Sequence, residues 1–244
     1  MRQRKPARWA IAVLCVVTTS PIVGAADSVA TCSTCAECEA ALASGLYDVV
    51  VLDADIIEHS GSCIELNWGE SDVTFDCAQH LIDSDGLSIE PAHAVSMMQG
   101  SGNSVKNCAI SDFDAALYLV NASETVLENN VLLGNRVGID LSNGGQNLIE
   151  GNEIRWSEKG MKITNSHDNT VSSNTVCDNY PYDIYHCCST GHVGSDNTCD
   201  FTESWDDAGT SGCTNTCAIL SCGFATGDLS VWSDPAGCSR GVGA

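Results

Sequence analysis

The sequence predicts an all-β protein, a single parallel β-helix with coils of 22 residues. Three observations predict it. First, apolar residues recur at that period: Val105, Leu127, Ile149 and Val171 form one column, and Ile110, Leu132, Ile154 and Val176 a second. Leu117, Ile139 and Met161 form a third, with Leu119, Leu141 and Ile163 beside it. Second, short runs such as Leu117-Tyr118-Leu119 and Ile139-Asp140-Leu141 alternate with a period of two, as strands do. Third, Asn and Gly fall between the runs, where tight turns need left-handed backbone. Asn130, Asn152 and Asn174 share one column and Asn121, Asn143 and Asn165 another, while Gly138 and Gly160 hold the place of Ala116. Inward asparagines in such columns are expected to form amide ladders between coils spaced ~4.8 Å apart. No unit carries the 3.6-residue stripe of a helix.

Residues 1–25 read as a signal peptide. Arg2, Arg4, Lys5 and Arg8 precede the apolar run Ala10 to Val17, and Val23-Gly24-Ala25 is a small-residue cleavage site. No later stretch has the length and apolarity of a membrane span. Residues 27–62 form a Cys-rich leader and N-terminal cap. Glu37 to Leu46 is expected to make one or two helical turns over the open end of the solenoid, and Tyr47 to Ile57 the first strand. Residues 63–217 form the β-helix. Cys63 to Leu66, Val73 to Cys77, Leu87 to Ile89 and Val95 to Met97 are its early strands, with an insertion around Ile82 to Glu90. Residues 218–244 form a tail, pinned by Cys222 and Cys238.

Without the leader, six basic residues (Lys106, Arg136, Arg155, Lys159, Lys162 and Arg240) face 32 acidic ones, a formal charge of −26. Such a surface repels nucleic acid and anionic membranes. It suits a soluble exported monomer, with calcium (Ca2+) as an ion it can bind weakly. Fourteen cysteines remain beyond Cys15, an even number. In an exported chain these are expected as disulfides rather than metal ligands, although Cys32, Cys35 and Cys38 have metal-like spacing and Cys187 and Cys188 are adjacent. The spacing leaves their connectivity open.

Cys77-Ala78-Gln79-His80-Leu81-Ile82 is similar to the Cys-Asn-Gly-His-x-Ile element that opens many exported right-handed β-helix proteins. Asn103 to Cys108 resembles their first regular coil. Asn197-Thr198-Cys199-Asp200, then Trp205 to Thr210 and Cys213, resembles their closing signature. Over residues 63–217 the chain resembles the NosD-like repeat family and the wider pectin-lyase-like group of carbohydrate-binding and sugar-hydrolysing β-helices. The resemblance implies the right-handed sense. It does not imply one activity, because that group mixes lyases, hydrolases, epimerases and binding proteins. Gly223 to Ser233 resembles the start of a jelly-roll module that the remaining residues are too few to complete.

The outer face of the coils is the expected site, since its regular spacing can follow a linear polymer. Tyr118, Asp140 and Lys162 share an outward column. Asp140, Arg155, Lys159 and Lys162 supply the residue types of a polysaccharide lyase: a basic side chain to take the proton beside a uronate, and a cation to neutralise its carboxylate. A mixed-charge, solvated coil explains the same residues. Asp112 and Asp114 flank Phe113 and are the candidate pair for hydrolysis. The paired-aspartate, Gly-His-Gly and Arg-x-Lys pattern of polygalacturonases is absent, and so are the Asp-Pro-His of alginate epimerases and the Arg-x-Pro-x-x-Arg of pectate lyases. Tyr180, Tyr182, Tyr185 and Trp205 are aromatics for stacking on sugar or for covering the end of the core. His186 and His192 lie near cysteines, with disulfides the expected outcome and no metal site. Three functions follow: a non-enzymatic protein contacting carbohydrate or another extracellular polymer; a lyase, hydrolase or epimerase of an acidic polysaccharide; and a structural or periplasmic assembly protein of NosD type.

Overall fold

The computed structural model describes residues 27–66, 71–86, 91–218, 220–221 and 239–240. The signal peptide, the strand at Leu87 to Ile89, the Gly223 to Ser233 motif and the Cys222/Cys238 pairing lie outside the described residues.

The chain is a right-handed parallel β-helix with three sheets of eight, six and seven strands. Within these sheets each strand pairs in parallel with the strand one coil before and one coil after it, the end strands on one side only, and Leu220–Ser221 and Ser239–Arg240 form a separate antiparallel pair. In the first sheet Val105, Leu127, Ile149 and Val171 stand in register, and in the second Ile110, Leu132, Ile154 and Val176. In the third, Val95, Leu117, Ile139, Met161 and Ile184 stack, as do Leu66, Met97, Leu119 and Leu141. These side chains are buried, and each contributes about 1.5–3 kcal/mol by leaving water. The predicted columns are therefore the core.

The ladders begin before residue 63. Val29–Cys32 and Val49–Leu52 already pair in the first sheet, and Ile56–His59 opens the second. The single strand expected at Tyr47 to Ile57 is thus two. The cap helix spans Cys35–Ala43, displaced toward the N-terminus from the expected turns, because Thr34 accepts the Glu37 amide as its N-cap. Among the described residues six disulfides join Cys32–Cys38, Cys35–Cys63, Cys77–Cys108, Cys177–Cys217, Cys187–Cys188 and Cys199–Cys213.

The two asparagine columns differ in kind. Asn130, Asn152, Asn174 and Asn197 point inward and form a ladder, each side-chain amide donating to the next coil's Oδ1 at 2.9–3.0 Å. Asn121, Asn143 and Asn165 form no ladder. They are exposed corner residues at φ 54, 57 and 49, where Asn tolerates the left-handed region. Further inward asparagines serve the other two corners: Asn147 and Asn169 before the first sheet, Asn135 and Asn179 before the third. Gly138 and Gly160 are required by close approach. A Cβ at Gly138 would strike the Ile154 side chain, and one at Gly160 the Val176 side chain.

Candidate functional site

The five central strands of the third sheet run to six or nine residues, against three in most strands of the other two, so its outer face is the broadest flat surface. Alternation places Glu65, Ser96, Tyr118, Asp140, Lys162, Tyr185 and Glu203 in one outward column, each paired in register with the next. A flanking column holds His93, Ala115, Val137, Lys159 and Tyr182.

Contacts along this face run coil to coil. The His93 ring stacks on Tyr118 with centroids 4.2 Å apart. Burial lowers the His93 pKa, and the negative charges of Asp114, Asp140 and Glu65 oppose this only in part. Lys162 Nζ lies 2.9 Å from Asp140, whose carboxylate also accepts the Ser142 hydroxyl at 3.2 Å. Asp140 is 8% exposed, so this pair is shielded from water. Lys159 Nζ sits 5.8 Å from the Tyr185 ring centroid, and Tyr182 contacts Tyr185 at 5.6 Å.

The other predicted residues do not converge here. Arg155 lies on the second sheet, held by Glu153 at 2.7 Å and Asp178 at 2.8 Å. It is a corner brace remote from Lys159 in orientation, because the chain turns between the two sheets at Trp156 (φ 58). Tyr180 is 83% exposed just before that face, and Trp156 and Phe201 are exposed as well. Trp205 is buried and covers the core. Asp112 and Asp114 take different partners. Asp114 receives Arg136 at 2.8 Å and the Ala92 amide at 2.9 Å, and despite burial these hold its pKa low. Asp112 is raised by burial and by Asp83 on the preceding coil, with which it shares a hydrogen bond. A recess of about 300 Å³ lies over Asp112, Asp114 and Arg136, and one of about 420 Å³ over Tyr185, His186 and Glu203. His93 and Phe201 were not singled out from the sequence. His93 sits one period before the small Ala115, which gives no periodic signal.

A family model described as periplasmic copper-binding protein (NosD) matches residues 45–202. The chain belongs to the NosD family. No curated protein matches it. Among solved structures, this NosD-family chain is similar to an alginate lyase from Paenibacillus sp. str. FPU-7, at 11% identity over 70% of this chain and 66% of the lyase, with a TM-score of 0.56. It is also similar to the catalytic domain of a GH87 α-1,3-glucanase in complex with nigerose, at 17% identity over 62% of this chain and 31% of that one, with a TM-score of 0.37. The chain spans just under two thirds of the lyase, and that likeness concerns the fold alone.

The family's description raises copper, and the donors can be tested against it. Cys35, His59 and Cys63 have ligand atoms within 4.8 Å of one another, but the two sulfurs are joined as a disulfide and His59 Nε2 contacts the Ser62 carbonyl at 3.0 Å. Met97 and Met161 are buried in the core. His192 Nδ1 accepts the Asn169 amide, so its Nε2 carries the proton. His186 donates Nδ1–H to Ser204 and keeps a single free nitrogen. Among the described residues of the disulfide-bonded chain, these donors do not fit a copper site.

Proposed function

We propose that this NosD-family chain is a non-catalytic binding protein that lays an extended polysaccharide across the outer face of its third sheet. The observation that carries the reading is the in-register column Tyr118, Asp140, Lys162 and Tyr185, flanked by Lys159 and Tyr182. A polymer running along the helix axis meets a new coil every ~4.8 Å, and so meets aromatic faces and polar groups in repeated order. Tyr180 and Phe201 extend the aromatic surface at the C-terminal coils.

The lyase reading is less well supported. Asp140 is engaged by Lys162 and Ser142, and Arg155 faces another sheet. The disulfides support an extracellular or periplasmic place of work.

The test is retention of the protein on immobilised neutral and acidic polysaccharides, with ultraviolet absorbance and reducing ends followed in parallel. Retention without product is expected, and Tyr118→Ala and Tyr185→Ala should each weaken it about fivefold. New double bonds or reducing ends would overturn the reading.

A further inference from the structure

Resting on that reading, we infer that the face takes an acidic sugar, and that Lys159 is the residue that receives its carboxylate. Positive charge is scarce in this chain, with ten Lys and Arg against 32 Asp and Glu. The described cations are almost all engaged. Lys106 meets Asp76 at 3.6 Å, Arg136 meets Asp114 at 2.8 Å, Arg155 meets Glu153 and Asp178, and Lys162 meets Asp140. Among the residues whose side chains the structure describes, Lys159 is the one Lys or Arg without a carboxylate within ion-pair distance, although Glu158 precedes it in sequence.

Its surroundings fit a charged ring. Lys159 opens a strand of the third sheet, in register with Tyr182 on the next coil, and its ammonium lies beside the Tyr185 ring. The two tyrosines are tilted by 49°. A sugar stacked on one of these rings brings a ring-borne carboxylate to the ammonium, where it forms a charge-assisted hydrogen bond. Elsewhere on the face the charges favour neutral sugar units: Glu65 and Glu203 are negative at the two ends of the column, and Asp140 and Lys162 neutralise each other. The face therefore selects a carboxylate at Lys159 and not along its whole length.

The experiment compares the full chain's affinity for oligogalacturonate and oligomannuronate with that for their methyl esters, which keep ring and linkage and lose the charge. The wild type should bind at least one acid about tenfold more tightly than its ester. Lys159→Met should erase that preference by bringing acid affinity down to that of the ester within the same variant, and Lys159→Arg should keep it. Thermal melts of both variants confirm folding. Equal affinity for acids and esters, or a preference that survives in Lys159→Met, overturns the inference and leaves the polysaccharide reading standing. Failure to bind these ligands or any neutral polymer sinks that reading too.

Discussion

The two ends of the solenoid are closed by different means. At the N-terminal end an apolar lid suffices. Helix Cys35–Ala43 lays Leu42 on the core, and Cys32–Cys38 and Cys35–Cys63 hold it there. At the C-terminal end the closing groups are polar. The ladder through Asn197 ends on Asp207, which accepts the Asn197 side-chain amide at 2.7 Å, its backbone amide at 3.0 Å, and groups of Trp205 and Thr214. The ladder through Asn179 ends on Asp183, whose second oxygen takes the amides of Asp200 and Phe201. The third ends on His192, which takes only the Asn169 backbone amide.

Hydrogen-bond polarity explains the difference. Each ladder asparagine donates toward the C-terminal end and accepts from the N-terminal side. The last coil is therefore left with buried donors, and a carboxylate, with acceptors only, satisfies two of them at once. A neutral imidazole offers one lone pair. The three buried side-chain polar atoms without a partner among the described residues are Asn169 Nδ2, His192 Nε2 and His186 Nε2, all at this third corner.

The largest expected effect breaks the polar closure. Asp207→Ala strands several buried donors and should cost about 3–5 kcal/mol in urea unfolding. Loss of no more than about 1 kcal/mol would mean that the disulfides Cys177–Cys217 and Cys199–Cys213 close this end alone. Next, replacing Cys35 and Cys63 together by Ala should cost about 3 kcal/mol, since the bond closes a loop with a sequence separation of 28. Third, His192→Asp supplies the missing acceptor to Asn169 and should stabilise by about 1 kcal/mol. A destabilised variant would refute the polarity account of that corner.

The smallest effect is in pH. Burial and the neighbouring His186 depress the His192 pKa below 6.5, so the unfolded chain binds more protons as pH falls through that value. Stability is full above about 6.5 and declines below it. His93, depressed by burial, contributes in the same direction. His192→Asp should flatten part of this decline in thermal melts between about pH 7.5 and 5 and leave the His93 share. Asp207 behaves differently. Burial raises its pKa, but the Asn197 and Thr214 hydrogen bonds prevail and lower it, so its contribution is lost only as pH falls below the ordinary value of 3.8.

The sequence made the core legible because inward aliphatic residues must repeat with every coil. Asparagine was ambiguous, since ladder and left-handed corner favour the same residue at the same period; only burial separates Asn152 from Asn143. The other ladders were obscured where Thr125 and Ser157 take the asparagine's place. Asp183 gave no periodic signal because an end occurs once, and Asp207 was legible only as a member of the closing signature at Trp205 to Thr210. At the candidate site, Tyr118, Asp140 and Lys162 were readable at the basic period, but Tyr185 joins their column only because one extra residue between Asn179 and Tyr182 stretches that coil to 23. Arg155 and Lys159 are close in sequence, yet a sheet corner at Trp156 parts them.

Because the ladders have a direction and each is closed by a residue of its own at the last coil, length is a free variable of this design. A 22-residue unit duplicated within the middle coils would bring its own donors, acceptors and apolar layer. It would leave helix Cys35–Ala43, Asp183, His192 and Asp207 at the ends unchanged. The reach of the outer face along a polymer can thus be adjusted by copying, while the stop signal stays where it is.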